Sequence, residues 1–327
     1  MDNKEAPKSK IYWERISKFP QFSIIVAMIL LLIIFSFISD SFFTFNNIIN
    51  VLRQASPTIV VSIGMTYVFI LGGMDLSVGS TACLSGLIAA GLMTGQNGGQ
   101  PIPAFVALIA ALLVGTFIGV LNGVIITTIK LPPFIVTLAL MSTVRGVALV
   151  YTNGITISKL PEGALELGRG YVGPIPIPVI IMAVILVIAW IVLSSTRFGR
   201  YIYAIGGNEE CTRLSGINVN RVKRIVYSIS GLCAAITGIL LTMRLGSGQP
   251  TLAEGLEMDA ITAVVLGGTA ISGGRGYMLG TLLGCIFLTF LGNGFNIIGV
   301  SSFWQQILKG VILIVAISLY GTKDKHK

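Results

Sequence analysis

Ten apolar runs, most of them close to twenty residues long, follow one another along this chain and decide its solvent before any motif is read. They fall near residues 20–39, 55–72, 76–93, 103–129, 133–150, 175–195, 225–245, 258–273, 277–297 and 302–320. An α-helix needs roughly 20 residues to cross about 30 Å of hydrocarbon. With 54 % hydrophobic and 11 % charged residues, 327 residues carry too few polar side chains to clothe a water-soluble globule. The expectation is an all-α polytopic membrane protein of about ten transmembrane helices. The 39 glycines fit it, since small residues let membrane helices approach closely. The first run lacks a small-residue cleavage site and is long enough to cross, so it reads as a retained span.

Orientation follows from Lys and Arg. The N-terminal segment 1–19 holds Lys4, Lys8, Lys10, Arg15 and Lys18, and the segment 196–224 holds Arg197, Arg200, Arg213, Arg221, Lys223 and Arg224. Both are placed in the cytoplasm, with the transmembrane domain over 20–320 and a cytoplasmic tail over 321–327. The segment 151–174 is then extracytoplasmic. The net charge of +9 is spread over separate loops, which suits a topological signal and attraction to anionic membrane lipid rather than nucleic-acid binding.

Several chemistries are excluded. Cys83, Cys211, Cys233 and Cys285 are scattered singly and read as small packing residues, and His326 is the only histidine. Neither a metal site nor a histidine-based triad can be built from them, and no catalytic residue is assigned. No G-x-x-x-x-G-K-[ST] loop is present, so any ATP is bound by a partner and no cofactor is expected on this chain.

Leu71 to Ser80 reads LGGMDLSVGS and Leu266 to Arg275 reads LGGTAISGGR. The shared L-G-G-x-x-[LI]-S-x-G suggests two similar halves with structural turns at Gly72, Gly73 and Asp75 and at Gly267 and Gly268. Chance likeness of Gly-rich turns is the other reading. Gly115, Gly119 and Gly123, and again Gly280 and Gly284, recur every fourth residue as helix-packing faces.

A charge near the bilayer centre costs roughly 2.5–3.5 kcal/mol on insertion scales, so intramembrane polar residues need a partner or a cavity. Phe134, Thr137, Met141 and Arg145 form one stripe at helical spacing, and Gln305, Gln306 and Lys309 form another. Either stripe lines a hydrophilic path, or Arg145 and Lys309 pair with Asp259 or Glu257 to staple helices. No chain of buried carboxylates suggests a proton relay. An ion-coupled secondary sugar carrier is therefore the weaker alternative, with a passive channel as a third.

The segment 196–224 is longer than a bundle connection requires. Asn208 is placed as an N-cap, Glu209 and Glu210 suit the positive end of a helix dipole, and Gly216 suits a left-handed stop after Leu214 and Ser215. A two-turn helix is predicted, able to seat in a groove on a soluble partner.

The loop sequence GRYIYAIGGNEECTRLSGINVNRVK resembles the signature of ribose-type permease subunits of ATP-binding-cassette sugar importers. The likeness extends to GGMDLSVGS at Gly72, FIVTLALM at Phe134, RGVALVYTNG at Arg145, DAITAVVLGGTAISGG at Asp259 and GVSSFWQ at Gly299. It implies a homodimer in a bacterial plasma (inner) membrane, both termini cytoplasmic, with the path between subunits. It also implies a cytoplasmic ATPase with tandem nucleotide domains, an extracytoplasmic sugar-binding protein and a small sugar as cargo. Carried onto this chain, the ATPase contact is Asn208, Glu209, Glu210, Cys211, Thr212, Arg213, Leu214 and Gly216, and the two stripes become walls of the path. Glu210 and Cys211 stand where relatives commonly have alanines.

Overall fold

A computed structural model describes residues 21–324. The basic residues of 1–19, together with Lys325, His326 and Lys327, lie outside the described residues.

The helices are α1 (Phe22–Ile38), α2 (Phe45–Ile70), α3 (Val78–Thr94), α4 (Ala104–Ile129), α5 (Pro133–Thr152), α6 (Glu162–Arg169), α7 (Ile177–Ser195), α8 (Arg197–Gly207), α9 (Glu209–Leu214), α10 (Val219–Leu245), α11 (Leu256–Leu266), α12 (Met278–Ile297) and α13 (Ser302–Asp324). A two-stranded antiparallel hairpin, β1 (Tyr171–Val172) and β2 (Ile175–Pro176), sits between α6 and α7.

Among the described residues six helices are long and apolar enough to cross a membrane, namely α2, α4, α5, α7, α10 and α12. Ile24–Ile38, Val78–Thr94 and Ser302–Val315 are apolar but shorter. The expected span over 258–273 is corrected: α11 has 11 residues, which rise only about 16 Å. Its apolar run continues into a glycine turn that hydropathy cannot tell from helix. α2, in contrast, begins ten residues before the expected position 55, because Thr44 Oγ1 accepts from Asn47 N at 3.3 Å and caps a polar first section. The last helix likewise runs through 321–324, past the expected end at 320.

α10 is the hub, packed against α2, α3 and α4. Glycines allow the approach: a Cβ on Gly115 would strike Ala235 and the Gly231 carbonyl, one on Gly119 the Tyr227 carbonyl, and one on Gly123 the Arg224 Cα. The expected packing face of α4 is thus met by α10. Gly280 and Gly284 play the same part in α12, against Gly267, which caps α11, and Ala263 within it.

Both L-G-G sequences end a helix in the same way. In the first, Gly72 N donates to Phe69 O and Gly73 N to Val68 O, both at 2.9 Å, with Gly72 at φ +84°. In the second, Gly268 N donates to Val265 O at 2.9 Å and Thr269 N to Val264 O at 3.2 Å, with Gly268 at φ +89°. These are matching Schellman closures, but the left-handed residue falls on the first glycine of one copy and the second glycine of the other. The backbone therefore aligns the copies one residue out of step with the letters.

Candidate functional site

The two turns meet. Gly274 N donates to Ile70 O at 2.8 Å, and a Cβ on Gly273 would lie 2.8 Å from Gly72 Cα. The first turn is also wired inward through Asp75, which is 1 % exposed. Ser77 N and Ser77 Oγ donate to Asp75 Oδ1 at 3.0 and 2.7 Å, Ser230 Oγ of α10 donates to Oδ2 at 2.7 Å, and Asn122 Nδ2 of α4 donates to Ser77 Oγ at 2.8 Å. Three helices are thereby tied to one turn, which satisfies a buried carboxylate without a cation.

α8 ends at this junction. A Cβ on Gly206 would overlap Ile70 O and lie 2.5 Å from Gly274 N, and Tyr203 Oη donates to Gly276 O at 2.7 Å. One residue separates α8 from α9. Asn208 Oδ1 accepts from Cys211 N at 2.9 Å, and Gly216, at φ +82°, closes the other end with Ile217 N reaching Thr212 O at 3.4 Å. The expected short capped helix is present.

α9 is fixed to its base by one carboxylate. Glu209 Oε1 accepts from Arg213 Nη2 at 2.7 Å, while Oε2 accepts from Lys223 Nζ of α10 at 2.6 Å. Partial burial alone would raise the Glu209 carboxyl, but Lys223 and then Arg213 outweigh it and hold the group below its ordinary value of 4.5. Thr212 is buried, whereas Leu214 is 83 % exposed. Cys211 is exposed too, unlike the buried Cys83, Cys233 and Cys285, so the expectation that all four cysteines are packing residues is corrected for this one. Its place on a six-residue helix with only one inward face is the reason. The result is a small rigid knob with an apolar tip, flanked by Arg213 and Glu210.

In the first turn of α11, at its other end from the Gly267–Gly268 turn, Asp259 Oδ1 and Oδ2 each lie 2.9 Å from Lys309 Nζ. The pair lines a cleft of about 470 Å³ between α11 and α13, together with Glu254, Thr262, Gln305 and Gln306. The α13 stripe thus reaches a polar cavity. The α5 stripe does not share it. Thr137 is buried and donates to Met74 O at 3.3 Å, Met141 packs on the α11 cluster, and Phe134 is half exposed. Arg145 Nη1 donates to Pro250 O and Leu252 O at 2.9 and 3.0 Å, holding the α10–α11 connection. Of the two pairings considered for Arg145 and Lys309, only the lysine makes a carboxylate ion pair.

Sequence reasoning missed Gly206, Tyr203, Lys223, the serine partners of Asp75 and Asn122, which donates to Ser77. Gly206 had a signal, the G-G pair directly before the N-cap. Ser77 lies only two residues from Asp75, but Tyr203, Lys223, Ser230 and Asn122 reach partners at least 14 residues away, which spacing does not reveal.

A family profile described as "Branched-chain amino acid transport system / permease component" matches residues 47–317. The ribose import permease protein RbsC of Escherichia coli (strain K12) is 46 % identical over 304 residues, 92 % of this chain and 93 % of that protein. RbsC of Bacillus subtilis (strain 168) is 46 % identical over 301 residues, 91 % and 92 % of the two chains. The xylose transport system permease protein XylH of E. coli (strain K12) is 33 % identical over 358 residues, 90 % of each. No solved structure matches the chain.

Proposed function

Because the chain belongs to the branched-chain amino acid transport system permease component family, we propose that it is the membrane-spanning subunit of an ATP-binding-cassette importer that carries ribose, or a closely related small sugar, into the cytoplasm. The observation that carries this reading is end-to-end similarity, at 46 % identity, to ribose import permeases of two distant bacteria. The family description speaks of amino acids, but relatives named for ribose and for xylose transport align along nearly the whole chain, so a pentose is favoured.

ATP is bound and hydrolysed by a partner subunit, and an extracytoplasmic binding protein delivers the sugar. Two copies of the permease enclose the path in a lipid bilayer, with both termini and the segment 196–224 in the cytoplasm. The α9 knob is the seat of the ATPase. Its exposed Leu214 supplies apolar contact area, and the caps and the Glu209 ion pairs keep it from yielding under load. Force on α9 passes through Asn208 into α8, and α8 delivers it at Gly206 to the meeting point of the two glycine turns. Movement there would reposition α2, α3, α11 and α12 together, because each begins or ends at that junction.

The test is reconstitution. Proteoliposomes with permease, ATPase and binding protein are expected to accumulate ribose on ATP addition, with competition by xylose weaker than by ribose and none by leucine. Sugar accumulation by the permease alone, driven by an ion gradient, would remove this reading in favour of a secondary carrier. Uptake of leucine in place of ribose would move the cargo to amino acids.

A further inference from the structure

The Lys309–Asp259 pair separates the α11–α13 cleft from a second one, of about 310 Å³, walled by α2, α10, α11, α12 and α13. Leu288 and Gly292 are its only lining residues without a polar side chain. That is an unusual surface for a chain this apolar, and it is built from five helices that are otherwise rich in Leu, Ile and Val.

Four of the lining residues have hydrogen-bonding capacity that the described residues do not use. Arg244, in the last turn of α10, has a buried Nη1 with no partner. No carboxylate lies within ion-pair distance of it among the described residues, and the charge it feels most is the like charge of Arg53. A guanidinium held beside another cation gains from any neutral acceptor that reaches it. Gln305 Nε2 donates to Asn296 Oδ1 at 2.8 Å and Val300 O at 3.0 Å, which leaves Gln305 Oε1 and Asn296 Nδ2 without a hydrogen-bond partner among the described residues. Gln54 on α2 makes no side-chain hydrogen bond among the described residues. Asn293, in contrast, is used up in a reciprocal amide pair with Asn47 at 2.9 and 3.0 Å.

We propose that this cleft is a sugar-holding site on the transport path, in which Arg244 and the amides of Gln54, Asn296 and Gln305 take the hydroxyl groups of one monosaccharide. The proposal rests on the sugar-permease reading and adds the residues that meet the cargo. The chemistry favours a neutral polyol. Each sugar hydroxyl is both donor and acceptor, and the wall offers both: the Arg fork donates to two neighbouring oxygens, while Gln305 Oε1 and Gln54 accept. A phosphate or carboxylate ligand would need donors only and would meet the Asp259 carboxylate in the wall. The volume, room for about ten waters at roughly 30 Å³ each, matches a single ring.

The test uses the full transporter in proteoliposomes, supplied separately with ribose and 2-deoxyribose. Arg244→Gln and Gln54→Ala are made singly. Gln54→Ala removes no protein hydrogen bond, so it remains informative if Arg244→Gln misfolds. Each is expected to reduce ribose uptake on the order of tenfold, the effect of losing a hydrogen bond to a charged or well-placed polar group. Recovery of the ATPase with the permease should be normal, and the ratio of ribose to 2-deoxyribose uptake should fall for at least one variant. Wild-type uptake and an unchanged ratio in both variants would overturn the proposal while leaving the importer reading intact. So would a loss of uptake matched by an equal loss of assembly in Gln54→Ala, or a defect seen only in vesicles with anionic lipid, which would give Arg244 to a headgroup phosphate. A wild-type complex that carries no sugar would overturn the importer reading and this site with it.

Discussion

Gly206 and Ile70 are in backbone contact: the Ile70 carbonyl accepts from Gly274 N at 2.8 Å, and the Cα of Gly206 presses on the same oxygen so closely that a methyl group has no place there. Ile70 closes α2 in the first half of the chain, Gly274 follows α11 in the second, and Gly206 ends the helix that leads to α9. The obstructing atoms are backbone, which cannot rotate away.

Gly206→Ala is therefore expected to destabilise the permease by about 1–3 kcal/mol, as overpacking does, and to reduce transport more than ATPase recovery. Gly207→Ala is the control, since a Cβ there meets nothing within 4 Å. Thermal unfolding and sugar uptake, measured on both variants, check this. Equal behaviour of the two would show that the junction tolerates a methyl and does not transmit force.

Leu214 is 83 % exposed on the tip of α9, so Leu214→Asp costs the isolated permease little. Against an ATPase groove it would bury a carboxylate. The expected outcome is normal permease abundance with ATPase affinity weakened by about 2 kcal/mol or more, roughly thirtyfold. Co-purification and sugar-stimulated ATP hydrolysis report it. Full ATPase recovery with wild-type uptake would place the contact elsewhere.

Glu209 has a folded-state pKa below its ordinary 4.5, so its contribution to stability is present above about pH 5 and is lost as pH falls through the lowered value. Melting temperatures of the wild type and Glu209→Gln in detergent are expected to differ by a constant amount above about pH 5 and to converge as pH falls through the lowered value. The half-exposed setting keeps the difference small. A difference that stayed constant as the solution was acidified well below the ordinary carboxylate range would mean the ion pairs with Lys223 and Arg213 are not its source.

The native cysteines give a direct test of orientation, because Cys211 is exposed and the other three are buried. An impermeant thiol reagent should leave Cys211 unmodified in intact cells and label it in inverted vesicles. Ser158→Cys, in the exposed part of the α5–α6 connection, should show the opposite pattern. Labelling of both from the same side would break the proposed topology.

The letters alone determined the solvent, the helical class, the glycine faces of α4 and α12, and both ends of α9. Each of these is a local property: hydropathy over about twenty residues, a four-residue spacing, or a cap within a few positions of its helix. Tertiary structure decided what hydropathy treats as equivalent. α11 stops at Leu266 and the following apolar letters form a turn, because the backbone there packs against Gly72 and Gly206 instead of continuing as helix. The one-residue offset between the two glycine turns was equally hidden, since identical letters adopt different φ once each turn has its own neighbours to avoid. The partner of Lys309, the unused donor of Arg244 and the separation of the α5 stripe from the cleft depend on which helix faces which. That is settled by packing between residues far apart in the chain, where spacing carries no information.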